Sequence, residues 1–155
     1  MRTGVRVGID VGTVRIGISR SDRDGLLATP YETVNRAEDS SDYVQIAALI
    51  EEASAREIIV GLPLSLSGAP TASTNDAIAF AEQLSSVVSV PIRMVDERLS
   101  TVSAARALHV NGKSTRKSRS IIDQTAATVI LQHALDSERL TGAEPGTQLP
   151  AIRES

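Results

Sequence analysis

The sequence predicts an α/β fold: a five-stranded mixed sheet with helices on both faces. Up to residue 34, apolar and polar residues alternate at the period of a strand, and the runs are separated by short turns. From residue 39 the spacing changes to that of amphipathic helices, interleaved with short apolar strands. The chain has 155 residues, 41% hydrophobic and 23% charged, enough for one domain with a proper core.

Val5, Val7 and Ile9 alternate with Arg6, Gly8 and Asp10 and open the chain as a strand that Gly12 ends. Arg15 to Ser19 is a second strand, closed by the turn-rich Ser21-Asp22-Arg23-Asp24-Gly25. A third runs from Leu26 to about Val34, where Pro30 removes a ladder donor and so predicts an edge or bulged strand. Short turns make these three an antiparallel meander. Tyr43, Ile46, Ala47 and Ile50 then fall at helical spacing behind the capping-type residues Asp39 to Asp42. Glu57 to Val60 before Gly61 is a buried strand, and Leu62 to Pro70 is a loop rich in Pro, Ser and Gly. Ala77, Phe80, Ala81, Leu84 and Val87 mark a second helix, and Pro91 to Val95 a last strand. Two helices close the domain, from about Thr101 to His109 and from Ser120 to about Arg139, divided by Asn111-Gly112. The crossover helices place the Val5 strand centrally, beside the Glu57 strand. Residues 1–139 form the domain, and the polar tail over 140–155 is expected to be disordered.

Composition narrows the chemistry. With no Cys, disulfides, thiol nucleophiles and zinc fingers are excluded, and two His leave little for imidazole sites. Aromatics are 2%, too few for a surface that binds single strands mainly by stacking bases. The net charge of −3 confines any nucleic-acid surface to a local patch. No apolar run approaches the roughly 18–20 residues that cross a bilayer. Met1 to Gly4 leads straight into a strand pattern, so a cytoplasmic protein without membrane association is expected.

Three acids stand out. Asp10 ends the first strand between Gly8 and Gly12, where the absence of side chains lets a large ligand approach the backbone. The bland reading is an Asp that caps a turn. Asp96 and Glu97 follow the last strand. Carboxyl ends of parallel strands share the edge where ligands bind, so Glu97 would stand beside Asp10, while Asp96 suits a helix cap. Asp123 shares a helix face with Ala126, Ala127 and Ile130, a costly place for a charge without a partner. Its alternative is a capping box from Ser120. Converging carboxylates repel one another unless a divalent cation joins them, which makes metal-assisted phosphodiester hydrolysis a coherent chemistry. The basic run Lys113, Arg116, Lys117 and Arg119 lies just before Asp123, and Arg15 and Arg98 flank the same edge. These six residues are candidates for the phosphate backbone, without base-specific readout; the alternative for the run is an exposed, solvated loop.

Taken together, Gly8-Ile9-Asp10-Val11-Gly12 with Arg15 to Ser19 and Ser21-Asp22, Val60-Gly61-Leu62-Pro63 with Gly68, Asp96 to Thr101, and Asp123 to Ala127 with Ile130-Leu131-Gln132 resemble the YqgF, or RuvX-like, family. The resemblance spans about residues 5 to 135, and four motifs in order are specific where each alone is weak. It implies a ribonuclease H-like fold and a nuclease of the bacterial cytoplasm that matures the 5′ end of pre-16S rRNA during ribosome biogenesis. Asp10, Glu97 and Asp123 fall on the family's catalytic, metal-binding acids, with Mg2+ or Mn2+ as the implied cofactor. Asp96 is the neighbour that competes with Glu97 for its position. Holliday-junction resolution on branched DNA is the family's alternative activity, and it would favour a homodimer over a monomer.

Two rivals come from other classes. Asp10-Val11-Gly12-Thr13 also resembles the first phosphate loop of the actin and sugar-kinase superfamily, but the chain lacks the second domain and second loop needed to enclose ATP. A catalytically inactive RNA-binding assembly factor on the same fold is the non-enzymatic rival.

Overall fold

A computed structural model describes residues 1–99 and 116–149, and only the main chain of residue 99 and residues 116–120. Its strands are β1 (Arg6–Val11), β2 (Arg15–Ser21), β3 (Ala28–Asn35), β4 (Glu57–Leu62), β5 (Ile92–Asp96) and β6 (Thr147–Gln148). The helices are α1 (Ser41–Glu52), α2 (Ala72–Ser85) and α3 (Arg116–Thr141), and a 3₁₀ turn covers Glu97–Leu99. The helix expected near Thr101 to His109 and the residue Lys113 lie outside the described residues.

The strands form one mixed sheet in the order β3-β2-β1-β4-β5-β6. β1 pairs antiparallel with β2 and parallel with β4, and β4 pairs parallel with β5. β1 is therefore central and beside β4, as its near-total burial requires. β3 is an edge strand, and its register slips where Ile18 faces Glu32 but Ser19 faces Pro30. The extra residue, Tyr31, is the bulge that Pro30 leads one to expect, since proline has no N–H for the ladder.

Strand alternation sorts side chains to two faces. Val7, Ile9, Ile16, Ile18, Ile58, Val60, Ile92 and Met94 face α1 and α2, where they meet Ile46, Ile50, Phe80 and Leu84. Burying each such aliphatic side chain contributes about 1.5–3 kcal/mol. The other face is lined by small residues, Gly8, Gly17, Ser19 and Gly61, against which α3 lies with Ala126, Ala127, Ile130 and Leu131 buried. Ser19 Oγ donates to the Ala127 carbonyl at 2.8 Å, a measure of how close the helix approaches.

Three expectations are corrected. The sheet has six strands, because residues 140–149 are not a disordered tail: β6 pairs antiparallel with β5, and Leu149 N donates to Ile92 O at 2.7 Å. Arg93 fastens that segment, donating from Nη2 to Gly146 O at 3.0 Å, from Nε to Pro145 O at 2.5 Å and pairing with Glu144 at 2.9 Å. The closing helix begins at Arg116, so Arg116, Lys117 and Arg119 sit in its first turns and not in a loop. Lys and Arg are good helix formers, which the loop reading underweights. The third strand starts at Ala28, leaving Leu26 and Leu27 in an exposed turn held by Asp22 Oδ1, which accepts from both amides.

The N-terminal end of the sheet is closed by buried charge. Arg2 reaches Glu57 at 2.9 Å and Glu138 at 2.7 Å, and Arg6 reaches Glu138 at 3.3 Å. This network ties β1 and β4 to the C-terminal half of α3. No described helix is long and apolar enough to cross a membrane.

Candidate active site at the carboxyl end of the central strands

Asp10 is the penultimate residue of β1, buried, and paired with Gly17 of β2. Because Val7, Ile9 and Val11 point to the α1–α2 core, Gly8 and Asp10 point to the α3 side. Glu97 begins the turn after β5 and is also buried, with 7% of its surface exposed. Its carboxylate folds back across β4: a Cβ added at Gly61 would lie 2.6 Å from Glu97 Oε1. The β1–β4 register pairs Ile9 with Val60, and its continuation sets Asp10 beside Gly61. Glu97 thus lies over the strand adjacent to Asp10, a lateral step of about 4.8 Å. The glycine is what makes room for the second acid.

Asp96 has a different task. Its Oδ1 accepts from the Arg98 amide at 2.9 Å and its carboxylate holds the Arg98 guanidinium, at 2.7 Å from Nη2. The hydrogen bonds from Arg98 hold the Asp96 carboxyl below the usual carboxylate range. Asp96 therefore caps the turn, and Glu97 is the acid directed onto the sheet face. Arg98 also donates to Leu66 O at 3.3 Å and lies under Gly68, so it braces the loop after β4. It was expected as a phosphate contact; its guanidinium is here engaged within the protein.

Asp123 occupies the third turn of α3, well past the helix start at Arg116, which removes the capping-box alternative. Its main chain sits against Gly17, where a Cβ would collide with the Asp123 carbonyl. Its side chain meets Arg15 at the start of β2: Nε donates to Oδ2 at 2.6 Å, with the two side chains 27% and 17% exposed. Arg15 and Gly17 share the face of β2 that looks toward α3. The three acids hence belong to one side of the sheet. Sequence reasoning named Arg15 only as a phosphate contact and missed this pairing; the matching cue was an acid on an inward helix face needing a cation.

The donor chemistry fits a hard divalent ion, because all three acids offer carboxylate oxygens. Among the described residues, no group of three or more acidic or histidine side chains is drawn together closely enough to hold an ion. Mg2+ is ordinarily bound through one or two carboxylates with waters and substrate phosphates, and Asp10 and Glu97 suit that mode. Lys113 lies outside the described residues, and of Arg116, Lys117 and Arg119 only the main chain is described. A cavity of about 450 Å³ lined by Ile50, Ser54, Val87 and Val90 lies where β4 and β5 begin, at the other end of the sheet.

The profile of a family described as "RuvX: Holliday junction resolvase" matches residues 4–137. A protein of Leifsonia xyli named "Putative pre-16S rRNA nuclease" is 62% identical over 146 residues, covering 94% of each chain. A protein of Clavibacter michiganensis with the same name is 52% identical over 154 residues, covering 99% of this chain and 96% of its own. Among solved structures, T. thermophilus RuvC in complex with Holliday junction substrate superposes with a TM-score of 0.54 at 16% identity, over 92% of this chain and 99% of that one. That likeness establishes the RuvC-like, ribonuclease H fold.

Proposed function

The chain belongs to the RuvX family, and from that premise we propose that it is a metal-dependent nuclease that hydrolyses phosphodiester bonds in 5′-end maturation of pre-16S rRNA. The observation that carries the chemistry is the pair of buried carboxylates, Asp10 and Glu97, brought to one strand edge across Gly61. Both offer carboxylate oxygens, the donors that a hard divalent cation takes in ones and twos beside water and substrate phosphate, so the pair makes physical sense as a ligand set. Asp10 and Glu97 would hold the ion, with Asp123 as the third acid, and Mg2+ or Mn2+ fits their oxygens. When bound, such an ion activates water and neutralises charge on the leaving oxygen.

The protein's own residues bind and orient the strand. Gly12 closes the tight turn after Asp10, where a Cβ would lie 2.5 Å from the Arg15 carbonyl. Lys113, Arg116, Lys117 and Arg119 supply positive charge for the sugar-phosphate backbone, reinforced by the positive end of the α3 dipole. Contacts of this kind position the strand and carry no base-specific readout. The protein acts in the cytoplasm, where the precursor is made.

Branched DNA is the second reading, favoured by the description of the family and by the RuvC-like fold. The two are separated by giving the pure protein a labelled pre-16S 5′ leader and a four-way DNA junction in Mg2+ or Mn2+. Cleavage of the leader with the junction intact supports the RNA reading. Symmetric paired cuts in the junction with an intact leader overturn it in favour of a resolvase. Binding of the leader without cleavage of either substrate overturns both in favour of an assembly factor.

A further inference from the structure

Arg15 is held by Asp123 at 2.6 Å, a short charge-assisted hydrogen bond. Both side chains are partly covered, which weakens solvent screening relative to a fully exposed pair. The backbones that carry them are fixed: Arg15 starts β2, and α3 is seated on β2 by the contact of Gly17 with Asp123. The guanidinium therefore lies on the one proposed metal-binding acid that projects from a helix and not from the sheet edge.

We propose that Arg15 is a positioning residue that serves as the resident counter-cation of Asp123, competing with a divalent ion for that carboxylate and yielding it when substrate phosphate takes the guanidinium. The inference rests on the metal-binding reading of Asp123. Its physical basis is that one carboxylate oxygen cannot give its full charge to a guanidinium and a metal together. Arg15 has a second partner available in a phosphate, which accepts a planar guanidinium with two parallel hydrogen bonds. A strand that draws Arg15 away removes its competition for the Asp123 Oδ2 oxygen, and an ion on that oxygen releases Arg15 to the strand. By linkage the two ligands must strengthen each other's binding by one common factor. Ion binding at Asp123 and nucleic-acid engagement become a single exchange, and an ion bound without substrate is disfavoured.

The test is calorimetric titration of the full chain with Mn2+ alone, which reads metal binding and not turnover. Arg15→Gln should bind Mn2+ more tightly than wild type by several-fold, up to about tenfold, the range expected for loss of one partly exposed competing pair. Arg15→Lys, which keeps the charge but loses the fork, should fall between them. In an Asp123→Asn background the Arg15→Gln change should leave Mn2+ affinity unaltered, because the competition acts through that carboxylate. A merely structural Arg15 would instead weaken Mn2+ binding when replaced. Equal or weaker binding by both Arg15 variants overturns the proposal while leaving the metal site intact. Absence of Mn2+ binding in wild type and variants alike overturns the metal reading and the proposal with it.

Discussion

The Asp123 carbonyl occupies the space that a Cβ at Gly17 would need, so the third acid is positioned by main chain against main chain. A strand and a helix distant in sequence are thereby locked in register, and the pair Asp10–Gly17 across β1 and β2 extends the lock to the first acid. Glycine is required here by space and not by backbone angle.

Gly17→Ala should therefore lift α3 from the sheet. The obstructing atom is backbone and cannot swing aside, so a loss of about 1–3 kcal/mol or more in unfolding free energy is expected, together with a strong fall in cleavage. Urea denaturation measures the first. An unchanged midpoint would mean that the helix is free to shift without cost.

Gly61→Ala should separate stability from activity. The Cβ would meet Glu97 Oε1 and Ile130 Cδ1, both at 2.6 Å, and both are ends of flexible side chains. The expected outcome is a small change in melting temperature with at least about a tenfold loss of hydrolysis, as Glu97 is displaced from its position over β4. Full activity would show that Glu97 works from elsewhere.

Glu138 should give the fold an acid-sensitive term. Burial pushes its carboxyl up, but hydrogen bonds from Arg2 and the charges of Arg2 and Arg6 outweigh it and hold it below the ordinary value. A folded value below the unfolded one stabilises fully above the unfolded pKa of about 4.3 and is lost as pH falls through the folded value. Glu138→Gln should cost about 3–5 kcal/mol at neutral pH, because it leaves Arg2 and Arg6 short of a buried partner. Denaturation at several pH values should show the gap narrow below about pH 4.

The meander, the central β1, the bulged edge at Pro30 and the acid ending β1 were legible because each is written in local period and turn chemistry. β6 was not, since its polar residues become ordered through β5, a strand far away in sequence, which pairs with them and whose Arg93 satisfies carbonyls 145 and 146. Gly61 looked like an ordinary strand end; its role depends on a side chain arriving from the turn after β5. The start of α3 was misplaced because Ser120 resembles a cap and the run before it resembles a solvated loop, although its Lys and Arg residues favour helix. The Arg15–Asp123 pair is a tertiary contact that no window of sequence contains.

The basic run should govern affinity without sequence preference. Replacing Lys113, Arg116, Lys117 and Arg119 with Ala should weaken binding to unrelated strands alike and flatten the slope of log affinity against log salt, by up to about 0.7–0.9 per lost phosphate contact. Salt titrations of both proteins on one substrate decide it. Identical slopes would redirect the path of the strand toward Arg15.

Cleavage of a 5′-labelled pre-16S leader by wild type and Asp10→Asn, each with Mg2+ and with a chelator, tests the central claim most directly. Asparagine keeps the shape of the side chain but is a poor ligand for a hard cation, and it places less negative charge before the phosphates. The account predicts hydrolysis by wild type in Mg2+ alone, none by Asp10→Asn, and equal or tighter leader binding by the variant. Undiminished cleavage by Asp10→Asn, or by wild type in chelator, would contradict it.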